Sequence, residues 1–354
     1  MKKSLIALAV LAASGAALAQ SSVTVYGRLD ASVGSADVGR VAGAAGALPL
    51  ATSTTGMFNS ALTSSRLGFR GVEDLGGGLK AIFAIETGFA VDAPSATTLG
   101  DRAAFVGLSG GFGTVKLGRH DTSFDDIRDL MVSSNLWDST NFASTETIVG
   151  AGAITGSQAW AGVGGGNGTT NGLADYGDRA SNLIRYESPS FSGVTFGVSY
   201  GFDEDAAVKQ DLSAYNVRYK AGKLDVGAAY QETKNVRKYS TVAAAYDFGG
   251  FRVSGGWNQA KQDVANGVKS NSYTVGANVP VGALDFSIGY STAKAKNSNG
   301  STFEKGDAFS AGVVYNMSKR TRLYGLLTNG DIENGAGVKQ RQRDIYAVGV
   351  AHVF

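Results

Sequence analysis

Apolar and polar residues alternate one for one along most of this chain, and past its N-terminal segment no apolar run approaches the ~18 residues of a spanning helix. Val194, Phe196, Val198, Tyr200 and Phe202 alternate with Thr195, Gly197, Ser199 and Gly201. Leu284, Phe286, Ile288 and Tyr290 are interleaved with Asp285, Ser287 and Gly289. Near the start, Val23, Val25, Leu29, Ala31 and Val33 take the parity opposite to Thr24, Tyr26, Arg28, Asp30 and Ser32. A period of two puts each set on its own face of a strand. With 43% hydrophobic residues so finely mixed with polar ones, the texture is that of strands with one apolar and one wet face.

Sixteen such segments lie near 22–34, 63–73, 79–91, 101–109, 113–120, 179–188, 193–203, 211–220, 224–233, 238–248, 250–261, 269–279, 283–294, 304–317, 320–328 and 342–354. Their connections alternate short and long. Asp74 to Gly78, Gly110 to Phe112, Pro189 to Ser192, Ala221 to Lys223, Gly249, Pro280 to Gly282 and Ser318-Lys319 are the short ones. An up-and-down barrel with tight periplasmic turns and longer external loops has this rhythm, whereas a soluble sandwich has no reason to segregate loop lengths. Tyr200, Phe202, Tyr246, Phe248, Phe251, Tyr290, Tyr315, Tyr346 and Phe354 fall near segment ends. They fit interfacial girdles or the ordinary preference of aromatics for strands.

Backbone groups in lipid must all be paired, and an open sheet leaves two edges unpaired. The expectation is therefore an all-β, antiparallel transmembrane β-barrel of sixteen strands, too wide for side chains to fill and enclosing water unless plugged.

The N-terminus predicts export. Lys2 and Lys3 precede an apolar stretch from Leu5 to Ala13, and Ala17-Leu18-Ala19 is a small-x-small cleavage site before Gln20. Residues 1–19 are expected to be a signal peptide, with 20–354 forming the barrel domain. The chain has 32 Lys+Arg against 30 Asp+Glu, so without Lys2 and Lys3 the charges balance and nothing calls for nucleic acid. The absence of cysteine excludes thiol chemistry, disulfides and Cys-based metal sites.

One connection, 121–178, is far beyond ordinary loop length. It is acidic, carrying Asp121, Asp125, Asp126, Asp129, Asp138, Glu146, Asp175 and Asp178 against Arg128. Its first part, Phe124 to Leu136, has apolar residues that suit a short helix or packing on a wall. Basic residues meanwhile occupy the wet parity of the strands: Arg28, Arg66, Arg70, Arg102 and Arg185. A charge on the lipid face costs about 2–4 kcal/mol near the midplane, so these side chains are expected to face the lumen.

At these residues the chain resembles the general diffusion porins of Gram-negative outer membranes, especially their β-proteobacterial branch. The resemblance rests on Ser22-Val-Thr-Val-Tyr-Gly27, on the stretch from Ser65 through Arg66 and Arg70 to Leu79, on that from Phe105 to Arg119, and on the end from Tyr346 to Phe354. It implies a homotrimer in which the loop 121–178 folds into the lumen as a constriction. It implies a basic wall of Arg66, Arg102 and Arg185, with Arg28 and Arg70 as weaker additions, opposed by loop acids drawn from Asp121, Asp125, Asp126 and Asp129. It also implies that the terminal Phe354 is a signal to the outer-membrane assembly machinery. The chain departs from the enterobacterial loop pattern, lacking its Pro-Glu-Phe-Gly-Gly stretch.

Cations on one wall and carboxylates opposite set up a transverse field that favours small hydrophilic solutes and ions over apolar ones. The function expected is passive, weakly ion-selective diffusion across the outer membrane, with no enzyme activity, cofactor or metal. A substrate-specific channel or an adhesin on the same barrel is the alternative. His120 and His352 are too far apart to suggest a triad or metal site, and the glycines at 162–168 lack the Lys-Ser/Thr ending of a phosphate loop.

Overall fold

The computed structural model describes residues 22–40, 53–94, 97–128, 130, 179–203 and 210–354. Ala19, Gln20 and Asp129 therefore lie outside the described residues, as does all of 131–178, the greater part of the loop 121–178. The strands are β1 (Ser22–Arg40), β2 (Ser53–Asn59), β3 (Arg66–Gly76), β4 (Leu79–Gly88), β5 (Ala103–Gly110) and β6 (Gly113–Asp121). After a short helix, α1 (Asp125–Arg128), come β7 (Arg179–Glu187), β8 (Val194–Gly201), β9 (Leu212–Ala221), β10 (Leu224–Thr233), β11 (Arg237–Asp247) and β12 (Arg252–Gln262). The last are β13 (Lys269–Val281), β14 (Leu284–Lys296), β15 (Thr302–Asn316), β16 (Thr321–Asn334) and β17 (Lys339–Val353).

All pair antiparallel in one sheet, and the sheet closes where β1 meets β17, from Arg28 opposite Val353 to Arg40 opposite Arg341. Strands β2 and β3 share one position in the barrel. The lower half of β1, residues 22–28, pairs with β3, and its upper half, 31–37, pairs with β2. The seventeen strands thus fill sixteen positions. At the lower end of the seam, Phe354 N and O exchange hydrogen bonds with Gly27 O and N at 3.0 and 3.2 Å. The Phe354 ring lies over Gly27, where a Cβ would come within 2.5 Å of Cζ, so this position needs a residue with no side chain.

Outward positions are apolar and exposed, among them Val25, Val106, Leu117, Val217, Val242, Val275, Ile288 and Val348. Inward positions are small or polar: Ser254, Ser272, Ser287, Ser310 and Thr328 are all buried. The aromatics at the strand ends face outward and pack on one another. Tyr246 and Phe248 are 4.7 Å apart between ring centroids, as are Phe248 and Phe251, and Tyr200 and Phe202 are 4.9 Å apart.

Several boundaries differ from the sequence reading, for physical reasons, β1 among them, which runs to Arg40 rather than to 34. The last hairpins run further than expected, β16 to Asn334 and β17 from Lys339. Beyond the lipid both faces are wet, so the apolar alternation stops while backbone pairing continues. Strand β2 is another difference. Between it and β3 the chain leaves the wall at Ser60, with φ at 60°, and turns inward. Leu62 is buried there against inward-facing Tyr324, Leu326, Ile345 and Ala347. The buried Asp30 carboxylate holds this turn, accepting from Leu62 N at 2.8 Å, from Thr63 N and from the Tyr324 hydroxyl.

Replacing Asp30 with Ala leaves two buried amides and a buried hydroxyl without an acceptor. The expected cost is about 3 kcal/mol, read as a lower urea midpoint for unfolding in detergent, and Asp30→Asn should lose less.

Candidate lumenal site

Lumen-facing side chains are delivered by strand parity. Arg66 and Arg70 come from β3, Glu86 from β4, Lys116 from β6, Arg185 and Glu187 from β7, and Asn216 from β9; Arg102 comes from the residue preceding β5. They meet around a cavity of about 740 Å³ inside the barrel, which Tyr26, Asp121, Asp125, Asp126 and Arg179 also line.

One sector is built on Glu86. Its Oε1 accepts from Arg102 Nε at 2.7 Å, and its Oε2 accepts from the Tyr26 hydroxyl at 3.0 Å and lies 3.6 Å from Arg66 Nε. Arg70 lies over the Tyr26 ring, 5.1 Å from its centroid, a cation–π contact. Among the described residues, this wall carries three guanidinium groups against one carboxylate. Arg66, Arg102 and Glu86 are each only 12–14% exposed at the side chain, so the surplus positive charge is held in place rather than swinging in solvent.

The second sector is built on Arg185. Its Nη2 donates to both carboxylate oxygens of Asp126 at 2.7 and 2.8 Å, and its Nη1 donates to the carbonyls of Asp121 and Thr122 at 2.8 and 3.0 Å. Its Nε lies 2.9 Å from Glu187 Oε1, which also accepts from Lys116 Nζ at 2.7 Å. Arg179 Nε is 3.1 Å from Asp121 Oδ1, and Asn216 donates to Asp126 Oδ2 at 2.8 Å. Counting Asp125, three cations here face four carboxylates.

Arg185 thereby clamps the start of the long connection to the inner wall. Ser123 N donates to Ser199 Oγ at 2.9 Å, and Thr122 Oγ1 donates to Gln231 Oε1 at 2.6 Å. Helix α1 follows, and Phe124, Ile127 and Leu130 are buried against Leu183, Leu212, Ala214, Ala229 and Tyr239. Ile127 sits over Gly227, where a Cβ would lie 2.4 Å from its Cδ1. Of the stretch Phe124 to Leu136, the described residues form a short helix and pack on the wall; Asp129 and 131–136 lie outside them.

Of the sequence candidates, Arg66, Arg70, Arg102, Arg185, Asp121, Asp125 and Asp126 are gathered around the one cavity. Arg28 is not part of that lining and donates to Thr63 Oγ1 in the inward turn. Asp126 does not stand across the lumen from Arg185 but is paired with it on the same wall. Tyr26, Lys116, Arg179, Glu187 and Asn216 were missed. Tyr26 and Lys116 share parity with inward neighbours, so the signal was present; the partners of Arg179 and Asn216 depend on how 121–126 folds back.

Arg185→Met should destabilise the barrel by about 3 kcal/mol, because it strands carboxylates and carbonyls that one buried guanidinium satisfies. Asp126→Asn, at a more exposed group, should cost less than half as much. Urea unfolding in detergent orders the two, and equal losses would show that the clamp does not centre on Arg185.

The pattern common to the family described as Gram-negative porin matches residues 5–335. The chain is 37% identical to the "Outer membrane porin protein 32" of Delftia acidovorans, over 99% of this chain and 95% of that one. It is 30% identical, end to end in both chains, to the "Major outer membrane protein P.IB" of a Neisseria meningitidis serogroup B strain. Among solved structures, the "Anion-selective porin from Comamonas acidovorans" superposes with a TM-score of 0.72 at 28% identity, covering 95% of this chain and all of the other.

Proposed function

The chain belongs to the Gram-negative porin family and forms an outer-membrane diffusion pore, and we propose that its lumen passes small hydrophilic solutes with a weak preference for anions. The observation that carries this reading is the surplus of Arg66, Arg70 and Arg102 over Glu86 on one wall. The neighbouring sector, on β6 and β7, has a slight excess of carboxylates, so a field runs between the two within the cavity they share. Water and dipolar solutes align with such a field, and fixed cations in a low-dielectric frame lower the barrier for anions. The near balance of the two sectors keeps the preference weak. The anion selectivity stated for the Comamonas acidovorans relative supports the same sign.

The reading extends to the connection 121–178 as the element that narrows the lumen. Its first residues lie on the inner wall, held by Arg185 and packed through Phe124 and Ile127. A homotrimer is also part of the proposal, and conductance that steps in threes in a planar bilayer is its test.

Replacing Arg66 and Arg102 together with Ser should move the reversal potential in a salt gradient toward that of a cation-preferring pore. Glu86→Gln should move it the other way, by removing the one carboxylate that the described residues place in that sector. Permeability ratios unchanged in both variants would show that this wall does not set selectivity.

A further inference from the structure

His120 is a buried titratable group that the charged sectors do not use. It is 6% exposed, near the end of β6, and lines the same cavity as they do. Its Nδ1 lies 3.0 Å from the carbonyl oxygen of Asp121. A carbonyl only accepts, so Nδ1 carries the proton and donates it. Nε2 is then a bare lone pair, and among the described residues it is buried with no hydrogen-bond partner. Buried polar atoms are nearly always satisfied, so each exception calls for a reason.

The reason lies in what the other ring nitrogen touches. Arg185 Nη1 donates to the same Asp121 oxygen at 2.8 Å. One carbonyl thus joins the imidazole to the guanidinium that clamps the start of the long connection. The sheet is irregular at this point. Gly118 stands opposite Leu183 but His120 stands opposite Ala180, so β7 carries an extra residue. Asn182, within that bulge, takes a φ of 54°. Bulges of this kind re-aim side chains beside functional sites. Here Ala180 and Leu183 are both buried with Phe124 and Ile127, while the Phe105 ring meets the imidazole edge to face at 5.4 Å between centroids.

We propose that neutral His120 is a positioning residue for the Arg185 clamp, and that protonation of its free nitrogen releases the clamp. Charged groups line the cavity from each neighbouring element. Lys116 and Asp121 come from its own strand, Arg179, Arg185 and Glu187 from β7, Asp125 and Asp126 from α1, and Arg102 from the residue before β5. Three of the carboxylates have cations already: Asp121 has Arg179, Asp126 has Arg185, and Glu187 has Arg185 and Lys116. A proton on Nε2 therefore places a buried donor where none of these acids accepts from it, and adds a positive charge to a ring in electrostatic reach of Arg185 and Lys116. Once the segment leaves the wall, the same N–H meets water. The released state binds the proton more readily than the clamped one, so acid favours release. The clamp is fully formed above the midpoint of a free imidazole, about pH 6.5, and weakens as pH falls below it. Carboxylates ordinarily titrate some two units lower, near 4, which separates their effect from that of the ring. That acid would thereby alter the narrowing of the lumen rests on the pore reading; the clamp itself does not.

Hydrogen–deuterium exchange of the full chain in detergent tests this, with the amides of 122–128 as probe and those of β14 as reference, all corrected for the intrinsic pH dependence of exchange. In wild type, protection at 122–128 should fall at least tenfold between about pH 7.5 and about pH 5.5, either side of the free imidazole midpoint, while β14 is unchanged. His120→Asn puts an amide nitrogen where Nδ1 stands and takes up no proton. It should match wild type at the higher pH and keep its protection at the lower one. His120→Leu has no donor and should be at least tenfold less protected at both. Wild-type protection that does not respond to pH overturns the inference. An equal fall in His120→Asn also overturns it, by assigning the effect to the carboxylates, and so does a His120→Leu protein as well protected as wild type. Exchange does not depend on conduction, so absence of ion conductance from wild type in a planar bilayer would count against the pore reading and leave the clamp standing.

Discussion

Backbone pairing in a medium without water is the constraint from which the rest of the structure descends. A sheet inside lipid cannot end in an unpaired edge, so β1 must find β17, and the ring of strands must close. Closure over sixteen positions makes the interior too wide for two facing walls of side chains to meet. Within the lipid span most inward residues then lie on a wet surface and outward ones on an oily surface, which produces the alternation along the chain. The seam is held by backbone exchange between Gly27 and Phe354 and by a paired register up to Arg40.

A wide interior is also an opportunity to place chain inside it. Two segments leave the wall and come back to it from within. The turn at 60–65 is held by Asp30 and buries Leu62, while the turn at 122–130 is held by Arg185 and buries Phe124 and Ile127. Both use the same solution, a buried charged group that satisfies backbone atoms of the inward segment, with apolar side chains pressed on small wall residues such as Ala214, Gly227 and Ala347. The polar cavity lies beside them, lined by the strands they leave uncovered.

The barrel and its strand order were legible because alternation is a local signal, and so was the inward direction of Arg66, Arg70, Arg102 and Arg185. Parity says which way a side chain points but not which residue it meets. The pairing of Arg185 with Asp126 depends on the chain folding back onto the wall, information carried by Phe124, Ile127 and the gap above Gly227 together. The role of Glu86 as a shared acceptor for Tyr26, Arg66 and Arg102 depends on the register of β1, β3, β4 and β5. Strand β2 was hidden because Ser53 to Asn59 offers only one outward apolar residue, Met57, and so no alternating apolar period.

The basic groups around the cavity are nearly all of one type. Inside, five of the six cations around the cavity are arginines, and each forked guanidinium can be fixed by several acceptors, as Arg185 is by one carboxylate, two carbonyls and the nearby Glu187. A field that sorts solutes works only if its sources stay where they are while solutes pass, and a planar fork locked at several points meets that need. With the charges of residues 20–354 in balance, total charge does not decide selectivity. Rigid cations facing the lumen bias what crosses the barrel.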